Sequence, residues 1–135
     1  MLNTELKHIT LSGKKYPIKC DMVVLEKIQD EFGDLSEFEN LLSGFRPILN
    51  EDGTKKRNEE GFLVGRYGIP GIKELNTTLC WMINEGIIIE ESQEPLLSKE
   101  QAARLVDIRP EDLGKALHKE FMRCFERKND ETPQN

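Results

Sequence analysis

The sequence predicts an α+β fold that is mostly α, with an N-terminal β-hairpin followed by about five helices. Apolar and polar residues alternate over residues 8–20, which is the period of a half-buried strand. Beyond residue 21 the apolar residues recur at helical spacing, with Asp, Ser, Pro and Gly at the expected helix ends. The length of 135 residues suits one domain with one core. We expect that domain at 1–128 and a flexible tail at 129–135.

The hairpin is predicted from two alternating runs on either side of a polar turn at residues 12–15. The apolar face of these runs consists of Ile9, Leu11, Tyr16, Ile18 and Cys20. Pro17 has no N–H to donate, so its strand should lie at the edge of a sheet.

Two helices are predicted to follow the hairpin directly. Asp21 is typical of an N-cap, and Gly33 is typical of the end of the helix that Asp21 begins. Ser36 and Glu39 have the spacing of a capping box for a second helix, and Gly44 should end it.

Residues 45–70 are the least regular part of the sequence. The stretch from Asn50 to Gly53 is a turn signal in charged surroundings. Residues 45–49 and 61–64 have the composition of two short strands joined by this loop, and no internal repeat is apparent. Long polar connections are uncommon in compact domains and are often mobile.

The central element is predicted to be a helix of about four turns that begins after Pro70 and ends at Gly86. Its apolar stripe is formed by Ile72, Leu75, Leu79, Met82 and Ile83. We expect Leu79 and Trp81, the only tryptophan, to lie in the core. The run 86–90 that follows has the composition of a short third strand.

The last two helices have clear start signals. Ser98 and Gln101 form a capping box that opens a helix through Val106. Pro110 suits the first position of the final helix. Its apolar residues repeat every four positions and are Leu113, Leu117, Phe121 and Phe125.

The sequence contains no visible catalytic motif, and we expect neither a cofactor nor a metal. A small enzyme whose catalytic residues come from distant parts of the chain remains an alternative. The net charge of -6 makes nucleic-acid binding an unfavoured function, because such proteins usually carry a basic surface. Cys20, Cys80 and Cys124 are widely spaced, and neither they nor the histidines have metal-ligand spacing. The thiols should therefore be free, in a reducing compartment. No signal peptide or membrane-spanning run is evident, so we expect no membrane partner.

Residues 98–120 leave an alternative open, because they resemble a helix-turn-helix of a DNA-binding regulator. Ile108 and Leu113 frame the turn as that motif requires. Two features of the sequence argue against DNA binding. Asp107 stands where the motif usually has glycine, and Glu111 and Asp112 begin the helix that would enter the major groove near phosphates.

Three segments together resemble the tail assembly chaperones of long-tailed bacteriophages and prophages of Gram-positive hosts. The first is Gly13 to Asp21, leading into a helix that ends Glu31-Phe32-Gly33. The others are Leu79 to Gly86, ending Ile83-Asn84-Glu85-Gly86, and Glu94-Pro95-Leu96-Leu97-Ser98. The similarity extends over most of residues 7–125. Cys20, where an aromatic residue is more usual, and the long 45–70 loop depart from the pattern.

This resemblance implies a non-enzymatic protein of the bacterial host cytoplasm that is absent from the mature virion. It implies that the protein binds the phage tape measure protein, a long helical chain, before the tail tube polymerises around it. Relatives are often also made as a longer, frameshifted form. Such a form, and a homo-oligomer, are therefore further potential partners.

A chaperone of this kind needs apolar surface to shield apolar helical segments. Surplus apolar residues at two places indicate where that surface lies. One is the run Ile87, Ile88 and Ile89, since consecutive strand residues cannot all face one side. The other is the last helix, where Met122 widens the stripe that contains Phe121 and Phe125. These six residues are the predicted partner-binding surface, although core packing or self-association would use the same pattern.

Overall fold

A computed structural model describes residues 6–126 of the chain. The fold is α+β and mostly α, as predicted. In chain order the elements are β1 Lys7–Leu11, β2 Lys14–Ile18, α1 Met22–Phe32, α2 Leu35–Ser43, β3 Phe45–Pro47, β4 Gly65–Tyr67, α3 Ile72–Glu90, α4 Lys99–Leu105 and α5 Pro110–Arg123. The predicted tail at 129–135 and both ends of the predicted domain at 1–128 lie outside the described residues.

The N-terminal hairpin forms as the alternating pattern predicts. β1 and β2 are antiparallel with Ile9 opposite Tyr16, and both side chains are buried on one face. Ser12 and Gly13 make the turn with positive φ angles of 50° and 78°. Ser12 also fixes the turn to the body, because its backbone N–H donates to Asp107 Oδ2 at 3.0 Å and its hydroxyl donates to the Leu105 carbonyl at 2.8 Å.

α3 is the central helix, packing against β2 and all four other helices. It is longer than predicted. The helix continues through Gly86 to Glu90, so the predicted third strand at 86–90 is wrong. Gly86 does not end the helix, because it is the point where β2 crosses it. A Cβ there would lie 2.8 Å from the Pro17 carbonyl carbon and oxygen.

Helix starts and stops follow local side chains, with one correction. Asp21 accepts a hydrogen bond from Val24 N at 3.2 Å, as an N-cap should. The second helix begins two residues earlier than its predicted capping box, since the N-cap is Asp34, which accepts from the N–H groups of Ser36 and Glu37, instead of Ser36. The predicted capping box at the start of α4 is present, and Pro110 opens α5.

The core is formed by one face of the hairpin and the inward faces of the helices. Its fully buried large side chains are Leu11, Val24, Ile28, Phe38, Leu42, Leu75, Leu79, Met82, Ile83, Leu113, Leu117 and Phe121. Leu79 is buried as predicted. Trp81 is only half-buried at the rim, where its ring lies 6.2 Å from that of Phe32, so its predicted core position is wrong. Ile72, predicted in the stripe, is 51% exposed because it lies at the free start of α3.

Two chain segments, residues 13–21 and 94–98, meet residues 83–86 of α3. We call this meeting point the junction (residues 13–21, 83–86 and 94–98). Gly86 contacts Pro17. Asn84 pairs with the backbone of Leu97, donating to its carbonyl at 2.9 Å and accepting from its N–H at 2.8 Å. Lys14 reaches Glu94 at 2.8 Å. Each of the three segments is thus in direct contact with the other two.

Residues 45–67 form a projecting β structure, here called the arm. β3 and β4 pair antiparallel at its base, with Phe45 opposite Tyr67. The first predicted strand is confirmed, but the second begins at Gly65 instead of lying at 61–64. Gly68 N donates to the Gly44 carbonyl at 2.8 Å, which fastens the base of the arm to the end of α2.

An eight-residue repeat that the sequence analysis missed builds the outer part of the arm. Asn50-Glu51-Asp52-Gly53 and Asn58-Glu59-Glu60-Gly61 make equivalent turns, and in each the glycine N–H donates to the asparagine carbonyl at 3.0 Å. Three backbone bonds close a ring inside the turns: Ile48 N to Val64 O, Val64 N to Lys56 O, and Lys56 N to Ile48 O. This ring gives the polar segment a defined shape.

Candidate functional site

The structure separates the predicted partner-binding residues of α3. Ile87, Ile88 and Ile89 lie in the last turn of this helix, not in a strand. Ile87 is buried in the core, whereas Ile88 and Ile89 are 55% and 46% exposed. Two of the three therefore remain as candidates for partner contact.

The predicted residues of α5 divide in the same way. Phe121 is buried and packs on Phe38 with ring centroids 5.5 Å apart. Met122 and Phe125 are exposed, and with α2 they line a small cleft of about 200 Å³. The cleft includes no α3 residue, so the structure does not join the two predicted surfaces into one pocket.

A cavity that the sequence analysis did not predict lies between the arm, α2 and α5. We call it the arm groove, and its volume is about 810 Å³. Its lining residues are Glu39, Asn40, Ser43, Phe45, Phe62, Leu63, Tyr67, Gly68, Ile69, Glu111, Lys115 and His118.

One wall of the arm groove is apolar and comes from the arm and from Ile69, which follows it in the chain. Phe62, Tyr67 and Ile69 are 67%, 74% and 56% exposed, which is unusual for three large apolar or aromatic side chains beside one cavity. Tyr67 is supported from behind by Phe45, edge to face at 5.3 Å. The wall is therefore an ordered apolar surface without a partner among the described residues.

The opposite wall is polar and comes from α5 and α2. His118 Nε2 lies 2.9 Å from Glu39 Oε2 and ties the two helices together. Glu111 and Lys115 stand one helical turn apart on α5 and carry opposite charges into the groove. The helices approach closely because Gly114 has no side chain, and a Cβ there would lie 2.7 Å from the Leu42 carbonyl.

The groove could have been anticipated only from a weak signal. Phe62, Tyr67 and Ile69 are apolar residues within a charged, irregular stretch, and nothing in their spacing indicates that they share a surface. The eight-residue repeat is what places Phe62 beside the base of the arm, since Phe62 follows the second repeated turn.

In the region that resembles a helix-turn-helix, Asp107, which departs from the motif, has a structural role. α4 and α5 form as two helices joined by a short connection, as predicted. Asp107, in that connection, accepts the hydrogen bond from the Ser12 backbone of the hairpin turn. Glu111, at the start of α5, lines the arm groove. The N-terminal end of α5 thus lies beside the arm.

A buried acidic residue on α3 has an unusual proton affinity. Glu85 hydrogen-bonds the Asp21 side chain, and this bond, together with burial, raises the pKa of Glu85 from its ordinary 4.5 to about 7. This contact holds Asp21 against α3 and belongs to the junction. Among residues 6–126 no cluster of three His, Cys, Asp or Glu side chains is arranged to hold a metal ion.

No helix of residues 6–126 is long and apolar enough to cross a bilayer. Comparisons with models of protein families, with curated proteins and with solved structures found no match for this chain.

Proposed function

We propose that this chain is a tail assembly chaperone of a long-tailed bacteriophage or prophage, and that it holds apolar helical segments of the tape measure protein in the arm groove. The observation that carries the proposal is the exposed apolar wall of Phe62, Tyr67 and Ile69 facing a polar wall across one groove. The resemblance of the three junction segments supports the choice of family.

The two walls favour an amphipathic helix as the occupant. An apolar stripe on the incoming helix would cover the apolar wall. Burial of apolar surface, worth about 25 cal/mol of free energy per Å², would drive the contact. The polar side of that helix would meet Glu111 and Lys115, which carry opposite charges one turn apart. A helix with a basic residue beside Glu111 and an acidic residue beside Lys115 fits best, because like charges at this distance repel.

The exposed residues Ile88, Ile89, Met122 and Phe125 extend this proposal to a long partner. A tape measure protein presents many apolar segments, and separate surfaces allow several to be covered by one chain or by a homo-oligomer. In this proposal the chain acts in the host cytoplasm without catalysis, leaves before the virion matures, and works alongside any longer frameshifted form.

Co-expression with the tape measure protein encoded nearby tests the proposal. We expect a larger soluble fraction of the tape measure protein and a complex that survives size-exclusion chromatography at moderate salt, because apolar contacts tolerate salt. An equally insoluble tape measure protein with and without this chain, and no complex, would contradict the chaperone function. Salt-sensitive binding to DNA instead would favour a DNA-binding regulator.

Matched variants locate the binding surface. Phe62→Ser with Tyr67→Ser should remove most of the complex. The control is Met22→Ser with Leu96→Ser, which alters side chains of 76% and 53% exposure outside the groove and should leave binding unchanged. Loss of the complex only with Met122→Ser and Phe125→Ser would move the site to the cleft between α2 and α5 and would show the arm groove to be the wrong site.

A further inference from the structure

Two of the three cysteines face each other across the end of the junction. Cys20 follows β2, and its backbone N–H donates to Glu120 Oε2 at 2.9 Å. Cys124 lies one helical turn after Glu120, at the end of α5, and therefore on the same face of that helix. Each of the two thiol groups changes the proton affinity of the other, so the two groups lie close together. Cys80 is placed elsewhere, beside the Leu97 carbonyl.

We propose that Cys20 and Cys124 form a modification site, a thiol pair that closes into an intramolecular disulfide when the chain meets a small disulfide such as oxidised glutathione. The link would join the start of α1 to the end of α5. It would therefore fix the last turn of α5, which contains Met122, and the residues just after it, which include Phe125. The proposal does not depend on the proposed function, because it rests on the contacts of the two cysteines alone.

The two thiols differ in how readily they can react. Cys124 is half-buried, and the hydrogen bond from the Cys20 thiol lowers the pKa of Cys124. Cys20 is only 3% exposed, and its hydrogen bond with Cys124, followed by burial, raises the pKa of Cys20. A thiolate is the attacking species, so Cys124 is the residue that an outside disulfide meets first.

The reaction takes place in two exchanges. Cys124 loses its proton to solvent and its Sγ attacks one sulfur of glutathione disulfide. A protein–glutathione disulfide forms, and one glutathione thiolate leaves and is protonated by water. Cys20 then loses its proton and attacks Cys124 Sγ, which breaks the mixed disulfide and releases the second glutathione. The two cysteines are oxidised by two electrons, and one glutathione disulfide is reduced to two thiols.

The surroundings of Cys20 make the second exchange the slower one. Glu120 is 2% exposed and is held by Arg123 at 2.7 Å, so its carboxylate stays beside Cys20. The negative charges of Glu120 and Asp21 further oppose the Cys20 thiolate and add to the rise in its pKa. We therefore expect a mixed disulfide at Cys124 to appear first and to decay into the Cys20–Cys124 link.

The test is a glutathione redox titration of the folded full-length chain, read by intact mass and by peptide mapping. The expected product has lost two hydrogen atoms and contains a Cys20–Cys124 peptide. Its thermal midpoint should be higher than that of the reduced chain, by on the order of 10 °C, because the link closes a long loop of the unfolded chain.

Two variants complete the experiment. Cys80→Ala should form the same link, and Cys20→Ala should stop at the glutathione adduct on Cys124. The proposal is overturned if the unaltered chain keeps a stable glutathione adduct without closing the link. A link that forms only in denaturant, or one that includes Cys80, overturns it as well.

Discussion

The junction and the arm are built in opposite ways. In the junction, the inner contacts between segments are buried or half-buried, and each depends on a particular residue: Gly86 against Pro17, Asn84 with Leu97, Glu85 with Asp21. Only the Lys14–Glu94 pair among the junction contacts described above is exposed. In the arm, local backbone bonds and repeated turns make the structure, and residues 49–62 are exposed throughout. The first region restricts its residues strongly, whereas the second leaves most side chains free.

This difference indicates which region is free to bind a partner. The junction residues make contacts that the fold requires, so they report how the chain folds and not what it binds. The arm groove, where we place binding, gains its apolar wall from residues that the fold does not need, since Phe62 and Tyr67 remain largely exposed. A partner-specific surface is expected in the region that packing restricts least.

The largest loss of stability should follow a substitution at the crossing of β2 and α3. Gly86→Val places side-chain atoms where Pro17 already lies, so the strand or the helix must move. We expect a loss of about 3 kcal/mol in the free energy of unfolding, measured by urea titration. Ile88→Val is the control on the same helix, at a 55% exposed position, and should change stability by less than about 0.5 kcal/mol. Equal stability of the two variants would contradict the close contact.

The same glycine shows what the sequence could predict and what it could not. Most signals that act within one turn of the chain were interpreted correctly: the cap at Asp21, the capping box at Ser98 and the alternation of the hairpin all appear as expected. The exception is the capping box expected at Ser36, because Asp34 already caps α2. Gly86 was misread because a glycine after an apolar stripe looks the same whether it ends a helix or admits a crossing strand. Only the position of Pro17 in three dimensions separates the two cases.

The candidate site was less predictable than the fold for a related reason. Hydrophobic spacing reports burial, so it selected Ile87 and Phe121, which are core residues, together with their exposed neighbours. The arm groove depends on how a polar segment closes through its eight-residue repeat. This closure depends on backbone hydrogen bonds, which the spacing of apolar residues does not predict.

A smaller effect is expected from the hydrogen-bonded pair in the junction. Asn84→Ala removes both bonds to the Leu97 backbone and leaves its N–H and carbonyl half-buried without that partner. We expect a loss of about 1–2 kcal/mol. Asn76→Ala, at a half-buried position on the same helix, is the matched control and should cost distinctly less. Thermal melts of both variants measure this difference. Equal midpoints would contradict a stabilising contribution from the two Asn84 hydrogen bonds.

The raised pKa of Glu85 predicts a pH dependence in the junction. Because the pKa is raised to about 7 in the folded chain, the folded state binds more protons than the unfolded state between pH 4.5 and 7. The contribution is complete at low pH and is lost as pH rises through 7. Glu85→Gln keeps a donor for Asp21 without a charge, so at pH 8 it should stabilise the chain by on the order of 1 kcal/mol.

The control for this effect is the pH itself. At pH 4, below the ordinary pKa of 4.5, the Glu85 side chain is mostly protonated in both the folded and the unfolded state, so the variant and the unaltered chain should have nearly equal unfolding midpoints. A stabilisation by Glu85→Gln that is the same at pH 4 and pH 8 would show that the effect comes from packing and not from the proton.

The smallest effect on stability should come from the arm, and this outcome distinguishes the two regions most directly. Phe62 is 67% exposed and follows a turn whose shape depends on Asn58 and Gly61, so its ring supports no buried contact. Phe62→Ser should therefore change the free energy of unfolding by less than about 0.5 kcal/mol in a urea titration. A loss near that of Gly86→Val would mean that the ring packs as core, and the apolar wall of the groove would then serve the fold instead of a partner.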